Sequence, residues 1–148
     1  MAKALALGVT AWAPLANGVL TGKYHGNGNA EAGRMSRQEM REFLPEQERT
    51  QQIITALKSV AEQTGRSMAQ VALAWLGNRP VPVIPILGAR KVSQLQDNLA
   101  SLDLRLSAEQ VKALDEASSI EPGFPYYLYA AQMTRALMYG GMRDSIIT

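Results

Sequence analysis

Two kinds of apolar pattern recur along the chain. The first is a short apolar run without polar alternation, which suits a strand buried on both faces, as in a parallel sheet. Residues 9–13, Val-Thr-Ala-Trp-Ala, form one such run, and residues 81–87, Val-Pro-Val-Ile-Pro-Ile-Leu, form another. The two prolines of the second run shorten it, because a proline cannot donate to a ladder. The second pattern has helical spacing. Ile53, Ile54, Leu57, Val60 and Ala61 predict a helix over residues 46–64, stopped by Gly65. Ser67-x-x-Gln70 reads as a capping box. The helix it opens carries Val71, Leu73, Ala74, Trp75 and Leu76 around most of its girth and ends before Pro80, so it is expected to be well buried, with Trp75 in the core. Leu95 and Leu99 share one face of a helix over residues 92–100. Ser107-x-x-Gln110 caps a further helix that buries Val111, Leu114 and Ala117. Residues 2–7 read as the end of a helix stopped by Gly8. Residues 130–139 read as a helix ended by Gly140-Gly141.

Residues 14–35 lack periodicity and are rich in Gly and Asn, which predicts a long loop of a kind that is usually functional or mobile. "HGNGNAEAG" within it is no dinucleotide fingerprint: it follows no strand directly and opens no helix. The order is thus strand, loop, helices, strand, helices, which points to parallel pairing and an α/β class. Two parallel strands do not close a sheet, and their open edges need cover.

Composition narrows the function classes. The 148 residues are 47% apolar and 19% charged, a globular balance. Fifteen basic against thirteen acidic residues leave a formal charge of +2, too little for a nucleic-acid or anionic-membrane footprint. No apolar run reaches the roughly 18 residues of a membrane span, and the N-terminus does not read as a signal peptide. There is no cysteine, which fits a reducing, cytoplasmic compartment and leaves no thiolate metal site. One histidine, His25, does not make a metal centre and reads as a surface residue.

Chemistry gathers where the two strands end. Pro14, Leu15, Gly18 and Gly22 follow the first, and Gly88 and Arg90 follow the second, just before a helix. Glycine lets a ligand approach the backbone closely, a helix start attracts anions, and a guanidinium grips phosphate through two bonds. In eight-stranded α/β barrels the loops after the last two strands often form a phosphate site.

These residues carry a resemblance. "GVTAWAPLANGVLTGKY", "ALAWLGNRPVPVIPILGARKVSQLQDNL" and "EPGFPYYLY" resemble, in order, the C-terminal part of an aldo-keto reductase over nearly the whole chain. The resemblance implies a partial (β/α)8 TIM barrel, α/β in class, with residues 9–13 and 83–87 as its seventh and eighth strands and residues 1–148 as the C-terminal part of an NADP-dependent oxidoreductase. It implies a pyrophosphate loop of Pro14, Leu15, Gly18, Leu20, Gly22 and Lys23. It implies an adenosine end of Gly88, Arg90, Gln94, Asp97 and Asn98, with Arg90 against the 2′-phosphate and Asn98 at the adenine. Trp12 offers a surface for the nicotinamide. Ala13 stands where the family usually has serine, which removes one phosphate contact. The family's catalytic tyrosine, with its Asp, Lys and His partners, belongs to earlier strands, and those motifs are missing here. No catalytic residue and no metal ligand are therefore assigned, and the chain reads as a truncated product, a fragment or one piece of a split protein.

Simpler readings stand beside these. Arg90 also reads as a solvated arginine, Lys23 as a loop lysine, Trp12 as core and Asn98 as a solvent-facing helical residue. Tyr126, Tyr127 and Tyr129 read as packing of the tail over the barrel face, and Phe124 and Tyr126 as bordering a carbonyl substrate's pocket in an intact barrel. The alternative function is a non-catalytic assembly element, pairing as a homo-oligomer or with a complementary barrel fragment.

Overall fold

The computed structural model describes residues 2–24, 47–121, 123–130, 132–140, 142 and 145. His25, Glu46 and half of the expected 14–35 loop lie outside the described residues. The chain divides into two units, Met1–Ser118 and Ser119–Thr148.

In the first unit the chain opens with a single 3-10 turn, Lys3–Leu5. The expected helix stop at Gly8 is corrected: Ala6, at φ 50°, reverses the chain two residues earlier. Leu7 N–H then donates to Ala2 O (3.0 Å), which satisfies the turn's carbonyls without Gly8. Strand β1, Val9–Trp12, follows, and Ala13 at φ 53° ends it one residue before the expected boundary. Helix α1 is Gln47–Thr64, α2 is Met68–Gly77, and strand β2 is Val83–Ile86. Helix α3 spans Val92–Leu99 and runs into a 3-10 turn, Ala100–Asp103; α4 spans Ala108–Ser118.

β1 and β2 pair in parallel, Val9 with Val83 through Trp12 with Ile86. Pro85 is accommodated because β2 has one partner among the described residues. The expectation of strands buried on both faces is not met. Ala11, Val83 and Pro85 are half-buried, and β2 packs on α2. Thr10, Trp12, Ile84 and Ile86 form the other face, and it is exposed. Among the described residues only the face toward α2 is covered.

The core lies between α1, α2 and α4. Leu57, Val60 and Ala61 meet Val71, Ala72, Ala74, Leu104 and Leu114. Val71 is completely buried, which stabilises by about 1.5–3 kcal/mol. Trp75 is half-buried at the rim, where its indole N–H donates to Asp115 (2.8 Å) and Arg79 stacks on its ring at 3.9 Å. Ser107 and Gln110 make both arms of their capping box, and α4 buries Leu114 while Val111 and Ala117 stay half-buried. Ser67 makes only one arm: its hydroxyl accepts from Gln70 N–H (3.1 Å), while the Gln70 side chain is drawn away to Asp97.

Helix α3 turns a polar face inward. Asn98 is 5% exposed, which overturns its solvent-facing reading, while Leu95 and Leu99 are exposed. In the second unit, α5 (Tyr126–Ala130) and α6 (Gln132–Tyr139) stand where one helix over 130–139 was expected. Residue 131 and Gly141 lie outside the described residues. Phe124 meets Tyr127 edge-on at 6.4 Å. No described helix is long and apolar enough to cross a membrane.

Candidate functional site

The strand register decides where the predicted residues meet. Trp12 and Ile86 are partners at the last positions of parallel strands. The segments beginning at Ala13 and Leu87 therefore leave the same edge of the sheet, about 5 Å apart at their roots.

The first turn is held from below by apolar side chains. Val19 is buried against Ile54 of α1, and Leu15 and Leu20 pack against the main core. Pro14 and Leu20 line a cavity of about 100 Å³ with Ile53, Leu57, Ala72 and Trp75. The side chains of Pro14, Leu15 and Leu20 are thus anchors, and a ligand role for this stretch falls to its backbone. That backbone is unusual. Ala13, Ala16 and Asn17 have φ of 53°, 47° and 55°, and Gly18 and Gly22 follow at 94° and 77°. Each alanine in this region costs about 1 kcal/mol or more, a strain that tends to collect at ligand-binding turns.

Two glycines permit close approaches. A Cβ on Gly18 would lie 2.8 Å from Lys23 Nζ, and one on Gly22 would lie 2.7 Å from Met68 Sδ. The Lys23 ammonium therefore folds back across bare backbone at Gly18, 4.8 Å from the centre of the Tyr24 ring. Thr21 Oγ1 closes the turn by donating to Gly18 O (2.7 Å). The result is a positive charge resting on strained backbone at Gly18, beside the Tyr24 ring.

The second turn is open. Gly88, Ala89, Arg90 and Lys91 are all exposed, and a Cβ on Gly88 would meet none of the described residues within 4 Å. Its backbone is nonetheless fixed, because Gln94 Oε1 accepts from the N–H groups of Arg90 (2.9 Å) and Lys91 (3.3 Å). Asp97 accepts from Ser67 Oγ (2.8 Å) and Gln70 Nε2 (2.6 Å). Gln94 and Asp97 are thus engaged within the protein, while the Arg90 side chain extends into solvent.

Trp12 is 79% exposed on the uncovered sheet face, so its core reading fails and its indole surface is free. A larger cavity, about 480 Å³, lies against Asn78, Leu106, Val111 and Asp115, away from the strand ends. Among the described residues no three His, Cys, Asp or Glu side chains come together as a metal site. Ser67 and Gln70 escaped the sequence reading as partners of Asp97, since separations of 30 and 27 residues leave no local mark.

Residues 1–119 match the family model described as the aldo/keto reductase family. The chain is 36% identical over 121 residues to a probable voltage-gated potassium channel subunit beta of Oryza sativa subsp. japonica, covering 78% of this chain and 37% of that protein. It is 41% identical over 83 residues to an aryl-alcohol dehydrogenase (NADP+) of Phanerodontia chrysosporium, covering 55% of this chain and 22% of that protein. It is 36% identical over 115 residues to the L-glyceraldehyde 3-phosphate reductase of Escherichia coli O157:H7, covering 74% of this chain and 33% of that protein. The chain thus spans well under half the length of these relatives.

Proposed function

The chain belongs to the aldo/keto reductase family, and on that premise we propose that it is the cofactor-holding, C-terminal section of a barrel oxidoreductase that reduces aldehydes and ketones with NADPH. The observation that carries this reading is the in-register parallel pair, Trp12 with Ile86, which brings two cationic turns to one sheet edge.

The residues fit such a cofactor. The exposed Arg90 guanidinium, on a backbone pinned by Gln94, suits bidentate contact with the 2′-phosphate. The Lys23 ammonium, lying over Gly18, suits the pyrophosphate charge. Gly18 and Gly22 supply the left-handed backbone of the turn, Gly18 giving the Lys23 side chain room to lie across it and Gly22 facing Met68. The reading assigns Asn98, 5% exposed, to the adenine and the exposed Trp12 indole to stacking on the nicotinamide. When bound, NADPH supplies the hydride that reduces the carbonyl carbon. No residue of this chain is proposed as the proton donor. The name of one relative specifies NADP+, in keeping with the choice of phosphorylated cofactor. The cysteine-free sequence suits a cytoplasmic setting.

Titration with NADP+ and NAD+ tests the reading. NADP+ binds the tighter, and Arg90→Ala removes the difference. Equal affinities in the unsubstituted chain, unchanged by Arg90→Ala, count against it.

A second reading rests on the uncovered sheet face. Trp12, Ile84 and Ile86 are exposed together on a two-stranded sheet with open edges. Such a surface suits pairing with a second copy or with complementary barrel units. Mass measurement in solution separates the two: a compact monomer that binds NADP+ leaves only the first.

A further inference from the structure

Resting on the reading of the second turn as the phosphate end, we infer that Ser67 and Gln70, acting through Asp97, are positioning residues that fix the direction of Arg90. Ser67 is the N-cap of α2, and its oxygen accepts from Gln70 N–H. Its single proton goes to Asp97 Oδ2, while Gln70 Nε2 donates to Asp97 Oδ1. One carboxylate of α3 is thus held by two donors from the first turn of α2. Asp97 stands three residues beyond Gln94, on a neighbouring position of the same helix. Gln94 in turn accepts from the N–H groups of Arg90 and Lys91. The bonds form a continuous path from the α2 cap, through Asp97 and α3, to the backbone that carries the Arg90 guanidinium.

Two further observations support a holding role. Helix α3 presents Asn98 inward and leaves Leu95 and Leu99 exposed, so apolar burial is not what orients it; the bonds at Asp97 are. The Gln70 amide also keeps its Oε1 buried without a partner among the described residues. Turning the amide over would bring Oε1 against the carboxylate, so the contact with Asp97 dictates its orientation.

The test titrates 2′,5′-ADP into the 148-residue chain, with 5′-AMP as the control that lacks the 2′-phosphate. Ser67→Ala weakens 2′,5′-ADP binding about tenfold more than it weakens 5′-AMP binding, the effect of losing one hydrogen bond to a charged group. Gln70→Met, which keeps the side chain's bulk, acts in the same direction, and Ser67→Thr restores the affinity. In an Arg90→Ala background both losses vanish. Amide exchange without nucleotide reads the bridge separately: residues 92–99 exchange faster in Ser67→Ala, while α1 is unaffected. Unchanged exchange in α3, or a loss of affinity that persists without Arg90, overturns the inference and leaves the phosphate reading intact. Unsubstituted protein that binds 2′,5′-ADP no better than 5′-AMP overturns the phosphate reading, and the inference falls with it.

Discussion

Trp12 and Ile86 face each other as the last pair of two parallel strands. That one pairing gives two turns, 74 residues apart in sequence, a common edge. It also puts both side chains on the uncovered side of the sheet, where the indole and the aliphatic chain stand in solvent. The apolar anchors Val19, Leu15 and Leu20 are on the opposite side, sunk between the helices.

Catalysis needs more than this edge supplies. The 148-residue chain, mixed with NADPH and a reactive aldehyde, is expected to consume NADPH no faster than the solution without protein. Loss of NADPH absorbance is the measurement, and clear turnover would mean that a proton donor sits among these residues.

Gly22→Ala destabilises more than Gly65→Ala. Both glycines have positive φ, 77° and 63°, so each substitution bears a conformational cost of about 1–2 kcal/mol. Only Gly22 also meets Met68 Sδ, at 2.7 Å from a built Cβ; Gly65 has open space. Urea unfolding of the two variants measures the difference, and equal losses would remove the Met68 contact as a reason for glycine.

Asp115 joins α4 to α2 by accepting from Trp75 Nε1 (2.8 Å) and pairing with Arg79 (2.9 Å). Asp115→Ala is expected to cost about 1–2 kcal/mol, the upper part of the range being lost because the carboxylate is partly solvated. Arg79→Lys keeps the charge and loses the planar stack on Trp75, so it too lowers the denaturation midpoint. A midpoint unchanged in both variants would make the cluster decorative.

The Ser107 hydroxyl holds the Glu109 carboxyl below its ordinary value of 4.5. A depressed pKa means that the folded state favours the charged form, so this contribution is present above the ordinary value and fades as pH falls through the lowered one. Protection of the amides in the first turn of α4, taken relative to their intrinsic exchange at each pH, is therefore expected to fall under acid, and Glu109→Gln to remove that change over the window. Exchange with the same pH response in both proteins would contradict the assignment.

Local signals in the sequence were read well, and distant ones were not. The spacing of Ile54, Leu57, Val60 and Ala61 placed α1, and the Ser107–Gln110 pair placed the start of α4, because each depends on neighbours within one turn. The half-made box at Ser67 was misread since Asp97, a remote competitor, takes the Gln70 side chain. The solvent-facing alternative for Asn98 fails because the side chain is buried, next in sequence to the bridged Asp97. Ala13 and Ala16 carry no mark of a left-handed backbone, a conformation that the packing of Leu15, Val19 and Leu20 beneath the turn accompanies. The two glycine-bearing turns and Arg90 were legible in the sequence as a candidate site, whereas the strand register that joins them belongs to tertiary structure.

The most direct test of the shared edge is a backbone amide NMR titration with NADP+. The account predicts saturable shifts at Gly18 and Gly22 together with Gly88 and Arg90, all following one binding curve. Shifts confined to one of the two turns, or signals that move elsewhere while both turns stay still, would contradict it.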